Sequence, residues 1–221
     1  MPSITIICPT RKRPGHLERQ IASARETASD FDALEWVVPI ATDDDTPHDF
    51  TGANVRVVPV TSSMVLSDRW TYGAAFSQAP VLMWAGDDIC FRTPGWDTIA
   101  QEAFPPDGIA LVGGSDGNPR RDGRFITHGF LHRAWVEAVG YFVPLGFHGD
   151  GADLWVNDMA RALGRWIHIP ILTEHLHPAF GKAPQDEVYR TKAQNAASRA
   201  TYDLRLGERD RDIELLRAVM S

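Results

Sequence analysis

Carboxylates and imidazoles suited to acid–base or metal chemistry occur in four clusters of this sequence. They are Asp43, Asp44 and Asp45; Asp87 and Asp88; Asp150 and Asp153; and His175 and His177. Adjacent carboxylates repel one another, so they are usually solvated or bridged by a cation. Carboxylate and imidazole ligands together suit a hard or borderline divalent ion, and the few cysteines argue against zinc. The residue types therefore predict a Mg²⁺ or Mn²⁺ centre.

Each cluster also has a simple structural explanation when it is taken alone. Gly86-Asp87-Asp88 is ordinary turn chemistry, and Asp43-Asp44-Asp45 could form a solvated turn. Asp150 or Asp153 could cap a helix N-terminus. Turns and caps do not explain why all of these groups occur together.

The apolar pattern predicts strands that position these carboxylates. Val81–Ala85 is an apolar run bounded by Gly86, and Ser3–Cys8 and Glu35–Ile40 are also apolar and β-branched. Helical segments alternate with these strands, which predicts a largely parallel sheet. Because parallel strands share one carboxyl edge, the acidic clusters after the second and fourth strands should converge there.

The other predicted elements follow the same alternation and then become less regular. Further strands are expected at Val55–Val60, Ile109–Val112, Phe125–Leu131 and Trp166–His177, the last limited by Pro170 to an edge or a bulge. Helices are expected at Pro14–Thr27, Ser67–Ser77, Trp96–Ala103, Arg133–Val139 and Ala152–Leu163. Residues 1–221 are predicted to form a single domain with a helical C-terminal tail at about 186–221.

Composition narrows the class of protein. The chain has 221 residues, 43% hydrophobic residues and a net charge of −7, which is typical of a globular protein and argues against coating a polyanion. Two cysteines give no disulfide framework. No signal peptide is visible and the apolar runs are too short to span a bilayer, so the sequence predicts a cytoplasmic protein.

Several motifs follow one another in a recognisable order along the chain. A strand ends in Pro9-Thr10-Arg11, an acidic stretch follows the second strand, and the helix at Ser67–Ala75 carries an arginine. Gly86-Asp87-Asp88, an aspartate before a helix and a late histidine come next. This order resembles that of the GT-A fold, family-2-like glycosyltransferases. His148–Asp158 and Glu174–Lys182 are similar to small bacterial and phage members, and the resemblance covers residues 3 to 190.

The resemblance implies a GT-A fold, which is a Rossmann-like, mostly parallel central sheet flanked by helices. It also implies a metal-dependent, inverting transferase that moves a sugar from a nucleotide diphosphate donor to an acceptor hydroxyl. The implied partners are Mn²⁺ or Mg²⁺ and a nucleotide sugar, with a UDP-sugar favoured. The acceptor could be a glycan, a protein or a modified DNA base, and a phage-encoded member would act in the host cytoplasm.

The resemblance also assigns roles by position. The nucleotide-sugar-binding residues would be Pro9, Thr10, Arg11, Asp43, Asp44, Arg69 and Asp87. Asp88 would bind the metal, with either His175 or His177 as the distal ligand. Asp153 would be the catalytic base, with Asp150 as the alternative. The motif departs from Asp-X-Asp because Gly86 stands where the first carboxylate is expected.

Two other functions remain open. A sugar-nucleotide nucleotidyltransferase has similar topology, but such enzymes usually carry a Gly-rich loop after the first strand, where this chain has only Gly15. A non-catalytic nucleotide-sugar-binding module is consistent with the incomplete metal motif. The basic loop Arg120–Arg124 is either solvated or contacts the diphosphate or a polyanionic acceptor.

Overall fold

The computed structural model describes residues 1–148, 151–184 and 195–221. Within these residues the chain forms eight strands and seven helices. The strands are β1 (Ile4–Ile7), β2 (Leu34–Ala41), β3 (Val55–Val60), β4 (Val81–Trp84), β5 (Ile89–Phe91), β6 (Leu111–Ser115), β7 (Phe130–His132) and β8 (Trp166–His175). The helices are α1 (His16–Thr27), α2 (Leu66–Ala74), α3 (Trp96–Glu102), α4 (Arg133–Val139), α5 (Ala152–Ala162), α6 (Asn195–Leu204) and α7 (Leu206–Val219).

The described strands form a mixed sheet in the order β3-β2-β1-β4-β7-β6-β8-β5. The pairs β3–β2, β2–β1, β1–β4 and β6–β8 are parallel. Strand β7 is antiparallel to β4 and β6, and β5 is antiparallel to β8. Six of these eight strands therefore point in one direction, which confirms the predicted α/β fold with a mostly parallel central sheet.

Side-chain alternation along the strands creates a core on each face of the sheet. Ile6 and Met83 pack with α1 and α3 on one face, whereas Ile7 and Leu82 pack with α2, α4, α5 and α7 on the other. All four of these side chains have no exposed surface. Helices on both faces leave the carboxyl edge of the parallel strands as the place for a ligand.

Two strands differ from the sequence prediction. Strand β5 was not predicted because its three residues are too few to show a pattern, and it is defined by pairing with β8. The strand predicted at Phe125–Leu131 is instead β7, because the backbone of Ile126 hydrogen-bonds to the amide side chain of Asn157 on α5 and not to another strand. The prediction for Phe125–Leu131 was wrong in its first half.

Strand β8 contains Pro170 opposite an irregularity in β6. The pairing shifts register between Gly113 and Ser115, where β8 carries extra residues. The predicted bulge at Pro170 therefore agrees with the structure, whereas an edge position does not, because β8 lies between β6 and β5. A proline lacks the N–H needed in a regular ladder, so a bulge accommodates it.

The C-terminal helices pack against other helices. Helix α7 packs on α4 and α5, where Ile213 and Leu216 are buried. The Tyr141 hydroxyl donates a hydrogen bond to Asp212 of the same helix. Residues 186–194 of the predicted tail lie outside the described residues, and the single-domain assignment stays a prediction. In the described part of the chain, no helix is both long enough and apolar enough to cross a membrane.

The close approach of α2 to the sheet gives a first prediction about stability. A Cβ at Gly73 would lie 2.7 Å from Ile7 Cγ2 and 3.1 Å from Pro39 Cγ. Gly73→Ala is expected to lower the free energy of unfolding by about 1–3 kcal/mol through overpacking, measured by urea denaturation. Gly207→Ala is the matched control, since a Cβ there meets nothing within 4 Å, and it should be neutral or stabilising by up to about 1 kcal/mol. Equal stability of Gly73→Ala and the parent would contradict the close packing.

Candidate active site

A cavity of about 500 Å³ opens at the carboxyl edge of the parallel strands. The loops after β1, β3 and β4 line it, together with the segment before β7, the start of α5 and the end of β8. The lining residues are Pro9, Thr10, Arg11, Arg13, Ser62, Ser63, Met64, Val65, Leu66, Arg69, Trp70, Trp84, Gly86, Asp87, Asp88, Thr127, His128, His148, Asp153 and His175. Sequence segments far apart in the chain therefore meet at this edge.

Asp87 is buried and held by the loop after β1. Its Oδ2 accepts a hydrogen bond of 2.7 Å from the Thr10 hydroxyl, and its Oδ1 accepts one of 2.7 Å from Arg13 Nη1. Only 4% of Asp87 is exposed. Burial and the neighbouring Asp88 charge raise the pKa of Asp87 above its ordinary value, although Arg13 and Thr10 act to lower it. This carboxylate joins two loops of the protein to each other.

Asp88, the next residue of the turn, contacts a histidine at the end of β8. Its Oδ1 is 3.2 Å from His175 Nε2, and its Oδ2 is 3.5 Å from Arg13 Nη1. Burial acts to raise the pKa of Asp88, but the hydrogen bond and charge of His175, followed by Arg13, hold it below the usual range. The Leu176 N–H also donates to the backbone carbonyl of Asp88, at 2.7 Å. Asp88 is therefore an ionised carboxylate positioned beside an imidazole.

The local sequence explains why the turn places its carboxylates there. A Cβ at Gly86 would lie 2.6 Å from Asp88 Oδ1, so a larger residue there would displace the Asp88 carboxylate from its present position. The Gln20 amide of α1 donates to the Gly86 carbonyl at 2.7 Å and accepts from Trp36 Nε1 at 3.0 Å. A buried side chain thus connects the carboxylate turn to the core of the sheet.

The predicted nucleotide-binding aspartates after β2 lie beside the cavity and do not line it. Asp43 pairs with Arg11 at 2.9 Å, which lowers the pKa of the Asp43 carboxyl. Asp44 accepts a 2.8 Å hydrogen bond from the N–H of Lys12, whose φ of 50° is rare for a residue other than glycine. The structure thus shows both carboxylates shaping the loop after β1. Their predicted role in binding the nucleotide stays a prediction.

Arg69 lines the cavity and also holds the loop after β3. Its Nε donates to the Met64 carbonyl at 2.9 Å and its Nη2 to the Ser62 carbonyl at 3.2 Å. Burial lowers the pKa of Arg69, although the group remains a cation at any physiological pH. Arg69 therefore sets the shape of the wall that Ser62 and Met64 form.

Asp153 lies in the first turn of α5, facing the cavity. Its Oδ1 accepts hydrogen bonds from the N–H groups of Gly151, at 3.2 Å, and Leu154, at 2.9 Å. A carboxylate fixed on a helix can act as a positioned general base. Asp150, the alternative base, lies outside the described residues.

The two candidate histidines are not placed equivalently. His175 lines the cavity and contacts Asp88, whereas His177 does not line the cavity and its ring centre lies 5.0 Å from that of His175. The ring of His128 packs against His175 from the other side, with a centroid distance of 4.9 Å. The geometry favours His175 over His177 as the residue that would share a metal ion with Asp88.

The Asp88–His175 pair fits a divalent cation that a diphosphate completes. Among the described residues, no three acidic, histidine or cysteine side chains are grouped as a metal site. Mg²⁺ is commonly bound by one or two carboxylates plus substrate phosphates and water, and imidazole extends this set to Mn²⁺. Asp88 and His175 would supply one oxygen and one nitrogen ligand side by side, so phosphate oxygens and water molecules would supply the rest.

Several lining residues were not predicted from the sequence. Arg13 was not singled out, although it lies three residues after Thr10 in the segment that follows the first strand. The loop Ser62–Val65 follows a strand, so the edge rule that located the acidic clusters could have found it. Thr127 and His128 were assigned to a strand, and only the break at Gly129 hinted otherwise.

The buried Asp87–Arg13 pair gives a second prediction about stability. Asp87→Asn is expected to lower the free energy of unfolding by about 3 kcal/mol, because a buried guanidinium loses its nearest counter-charge. Asp88 remains 3.5 Å from Arg13, which limits the loss. Asp43→Asn, in an exposed ion pair, is the control and should change stability little. Chemical denaturation measures both, and equal effects of the two variants would contradict a structural role for Asp87.

No protein-family model matches the sequence, and a search of curated proteins gives no match. Solved structures do match. A mannosyltransferase from Pyrobaculum calidifontis, in complex with GDP-Man and Mn²⁺, superposes with a TM-score of 0.63 at 14% identity, over 99% of this chain and 74% of the other. Glucosyl-3-phosphoglycerate synthase from Mycobacterium tuberculosis, in complex with Mn²⁺, UDP and phosphoglyceric acid, gives 0.59 at 14% identity, over 91% and 78%.

A fragment of S. aureus TarS in complex with UDP-GlcNAc gives a TM-score of 0.57 at 12% identity, over 86% of this chain and 61% of that chain. This chain thus spans only about three fifths of the TarS fragment. The three similar structures are GT-A glycosyltransferases. At such identities the likeness establishes the fold, so this chain has a GT-A fold, as its sequence predicted.

Proposed function

We propose that this protein is a divalent-cation-dependent, inverting glycosyltransferase that uses a nucleoside diphosphate sugar. The observation that carries the proposal is that Asp88, His175 and Asp153 line one cavity at the carboxyl edge of the sheet. Proteins of the same fold bind GDP-Man with Mn²⁺, UDP with Mn²⁺, and UDP-GlcNAc. The shared fold and the convergence of these three groups both support the same reaction.

The donor diphosphate would lie between Asp88 and the loop after β1. Asp88 and His175 would hold the cation beside the diphosphate. When bound, the cation neutralises the charge that develops on the departing diphosphate and aligns the phosphates. Arg11 also lines the cavity and, although it pairs with Asp43, would direct the remaining N–H groups of its guanidinium to the same phosphates. Asp87 has a supporting role here, because Thr10 and Arg13 occupy its oxygens.

Asp153 would remove the proton from the acceptor hydroxyl as that oxygen attacks the anomeric carbon. The reaction breaks the bond between the sugar and the diphosphate, and the diphosphate leaves with its electron pair. Asp153 lies on a different element from Asp88 and His175, so base and leaving group can stand on opposite sides of the sugar. Attack opposite the leaving group inverts the anomeric configuration. The acceptor hydroxyl must therefore reach the cavity from the α5 side.

The proposal is tested by a thermal-shift screen of UDP-, GDP-, dTDP- and ADP-sugars with Mn²⁺. Only the folded state binds the donor, so one nucleotide class should raise the melting temperature, by the equivalent of about 2.7 kcal/mol at a hundredfold excess over Kd. The rise should disappear with EDTA. The positive donor should then be hydrolysed slowly to nucleoside diphosphate and a sugar of inverted configuration, read by proton NMR.

Other outcomes identify other functions. Binding without hydrolysis or transfer would support the non-catalytic module. Release of pyrophosphate from a nucleoside triphosphate and a sugar phosphate would identify a nucleotidyltransferase. Failure of every nucleotide and nucleotide sugar to change the melting temperature would overturn the proposal.

A further inference from the structure

Polar contacts tie one surface loop to the helix that carries the candidate base. Asp153, Asn157 and Arg161 follow one another at intervals of four residues, so they share a face of α5. Asn157 accepts a hydrogen bond from the Ile126 N–H at 3.1 Å and donates one to the Ile126 carbonyl at 2.9 Å. Arg161 donates to the carbonyl of Arg124. The chain around Arg124 and Ile126 therefore runs along the Asp153 face of α5.

The same loop returns to the wall of the cavity. Thr127 lines the cavity directly after this segment, and Arg121 Nη1 lies 3.4 Å from its hydroxyl. Arg121 is also 3.7 Å from the buried Asp116, which accepts a hydrogen bond from Thr127. The Arg121 side chain keeps 43% of its surface exposed. This guanidinium is thus adjacent to the cavity and open to a ligand.

The loop carries an excess of positive charge on a protein that is negative as a whole. We define the arginine loop as residues 120–124, which include Arg120, Arg121 and Arg124 against Asp122. Asp122 lies 3.5 Å from His168, and Arg161 adds a further cation next to Arg124. The formal net charge of the chain is −7, so the excess is local. Guanidinium groups match the geometry of phosphate oxygens and bind them in pairs.

We infer that the acceptor carries a phosphate group, which the arginine loop and Arg161 bind while Asp153 receives the proton of its hydroxyl. This inference rests on the proposed function, because that function makes the α5 side of the cavity the acceptor side. Eight residues of helix separate Asp153 from Arg161, a rise of about 12 Å. Arg121 is nearer to the cavity, because its Nη1 lies 3.4 Å from the hydroxyl of Thr127, which lines the cavity. A phosphorylated acceptor of the size of a sugar phosphate or a short phosphodiester spans that distance.

The test uses glycerol 3-phosphate and glycerol as a charged and neutral probe pair. Titrations are followed by thermal shift and calorimetry in EDTA, so that no divalent ion can hold phosphate at Asp88. Glycerol 3-phosphate should raise the melting temperature and glycerol should not. The double variant Arg121→Gln/Arg124→Gln should bind glycerol 3-phosphate at least 10-fold more weakly. Arg56→Gln removes an exposed arginine from β3, at the opposite edge of the sheet, and is the control that should bind normally.

The outcomes separate this inference from the proposed function. Equal affinity of the double variant and the parent, or an equal loss in Arg56→Gln, overturns the inference. A rise in melting temperature with glycerol equal to that with glycerol 3-phosphate also overturns the inference. The nucleotide-sugar screen reports binding on the Asp88 side of the cavity, whereas the titrations report binding of glycerol 3-phosphate at the arginine loop. A positive screen with a negative titration therefore rejects only the phosphorylated acceptor. The reverse result rejects the glycosyltransferase, and with it the acceptor, and leaves only a phosphate-binding site at the arginine loop.

Discussion

Asp153→Asn is expected to lower the rate of sugar transfer by about 10²–10⁴-fold, the usual cost of removing a positioned general base. The asparagine side chain keeps the shape and can still accept the backbone hydrogen bonds from Gly151 and Leu154, but it cannot take a proton at neutral pH. Donor affinity should change little, because Asp153 is proposed to act on the acceptor. Steady-state kinetics with the donor found by the screen measure the rate, and calorimetry measures the affinity.

Two further variants show whether a loss of activity is specific to Asp153. Asp158→Asn removes another carboxylate from α5, one that accepts a hydrogen bond from Tyr202 outside the cavity, and it should leave the transfer rate close to that of the parent. Asp150→Asn tests the alternative base that the sequence left open. If Asp153→Asn transfers sugar at the parental rate while Asp150→Asn does not, the base is Asp150 and the assignment made here is wrong.

Asp88→Ala is expected to abolish Mn²⁺-dependent turnover, with a loss of roughly 10³-fold or more. The cation contributes several kcal/mol of charge stabilisation in such reactions, and about 1.4 kcal/mol corresponds to a factor of ten in rate. Asp88 is the buried carboxylate whose low pKa keeps it ionised beside His175. Mn²⁺ binding in the presence of the nucleotide diphosphate, followed by electron paramagnetic resonance, should weaken in parallel.

The two histidines provide the matched comparison for this prediction. His175→Ala removes the imidazole 3.2 Å from Asp88 and should weaken Mn²⁺ binding, whereas His177→Ala, outside the cavity lining, should leave it nearly unchanged. Thermal melts of all three variants show whether the fold is intact. Asp88→Ala protein that is folded and turns over the donor at the parental rate would exclude the proposed metal site.

The elements of this fold were largely predictable because apolar periodicity reports burial. Helix α4 lies at Arg133–Val139 as predicted, ending at Gly140 with a φ of 82° that suits glycine. Strand β4 was visible as an apolar run followed by Gly86. Strand β5 was not visible, since its three residues acquire their strand character only by pairing with β8. Prediction from local sequence therefore failed for an element that pairing with a distant strand defines.

The candidate site was likewise predictable from the sequence only in part. In the structure Asp88, Asp153 and His175 line one cavity, at the edge of the sheet where the rule for parallel strands placed Asp88. The same rule predicted that Asp43 would join them, but the side chain of Asp43 turns to Arg11 and stays out of the lining. Which end of a strand a residue occupies can be read from the chain, whereas the direction of its side chain depends on neighbours from other segments.

The sequence by itself determined the class of fold, the edge of the sheet at which the candidate site lies and the types of group available there. Only the tertiary structure distinguished Asp87, bound by Thr10 and Arg13, from its neighbour Asp88, bound by His175. It also placed the arginine loop along α5. The physical reason is that periodicity and composition act over a few residues, whereas ion pairs and hydrogen bonds such as those of Asp88 with His175 and Leu176 join distant parts of the chain. Their energies depend on distances that exist only in the folded chain.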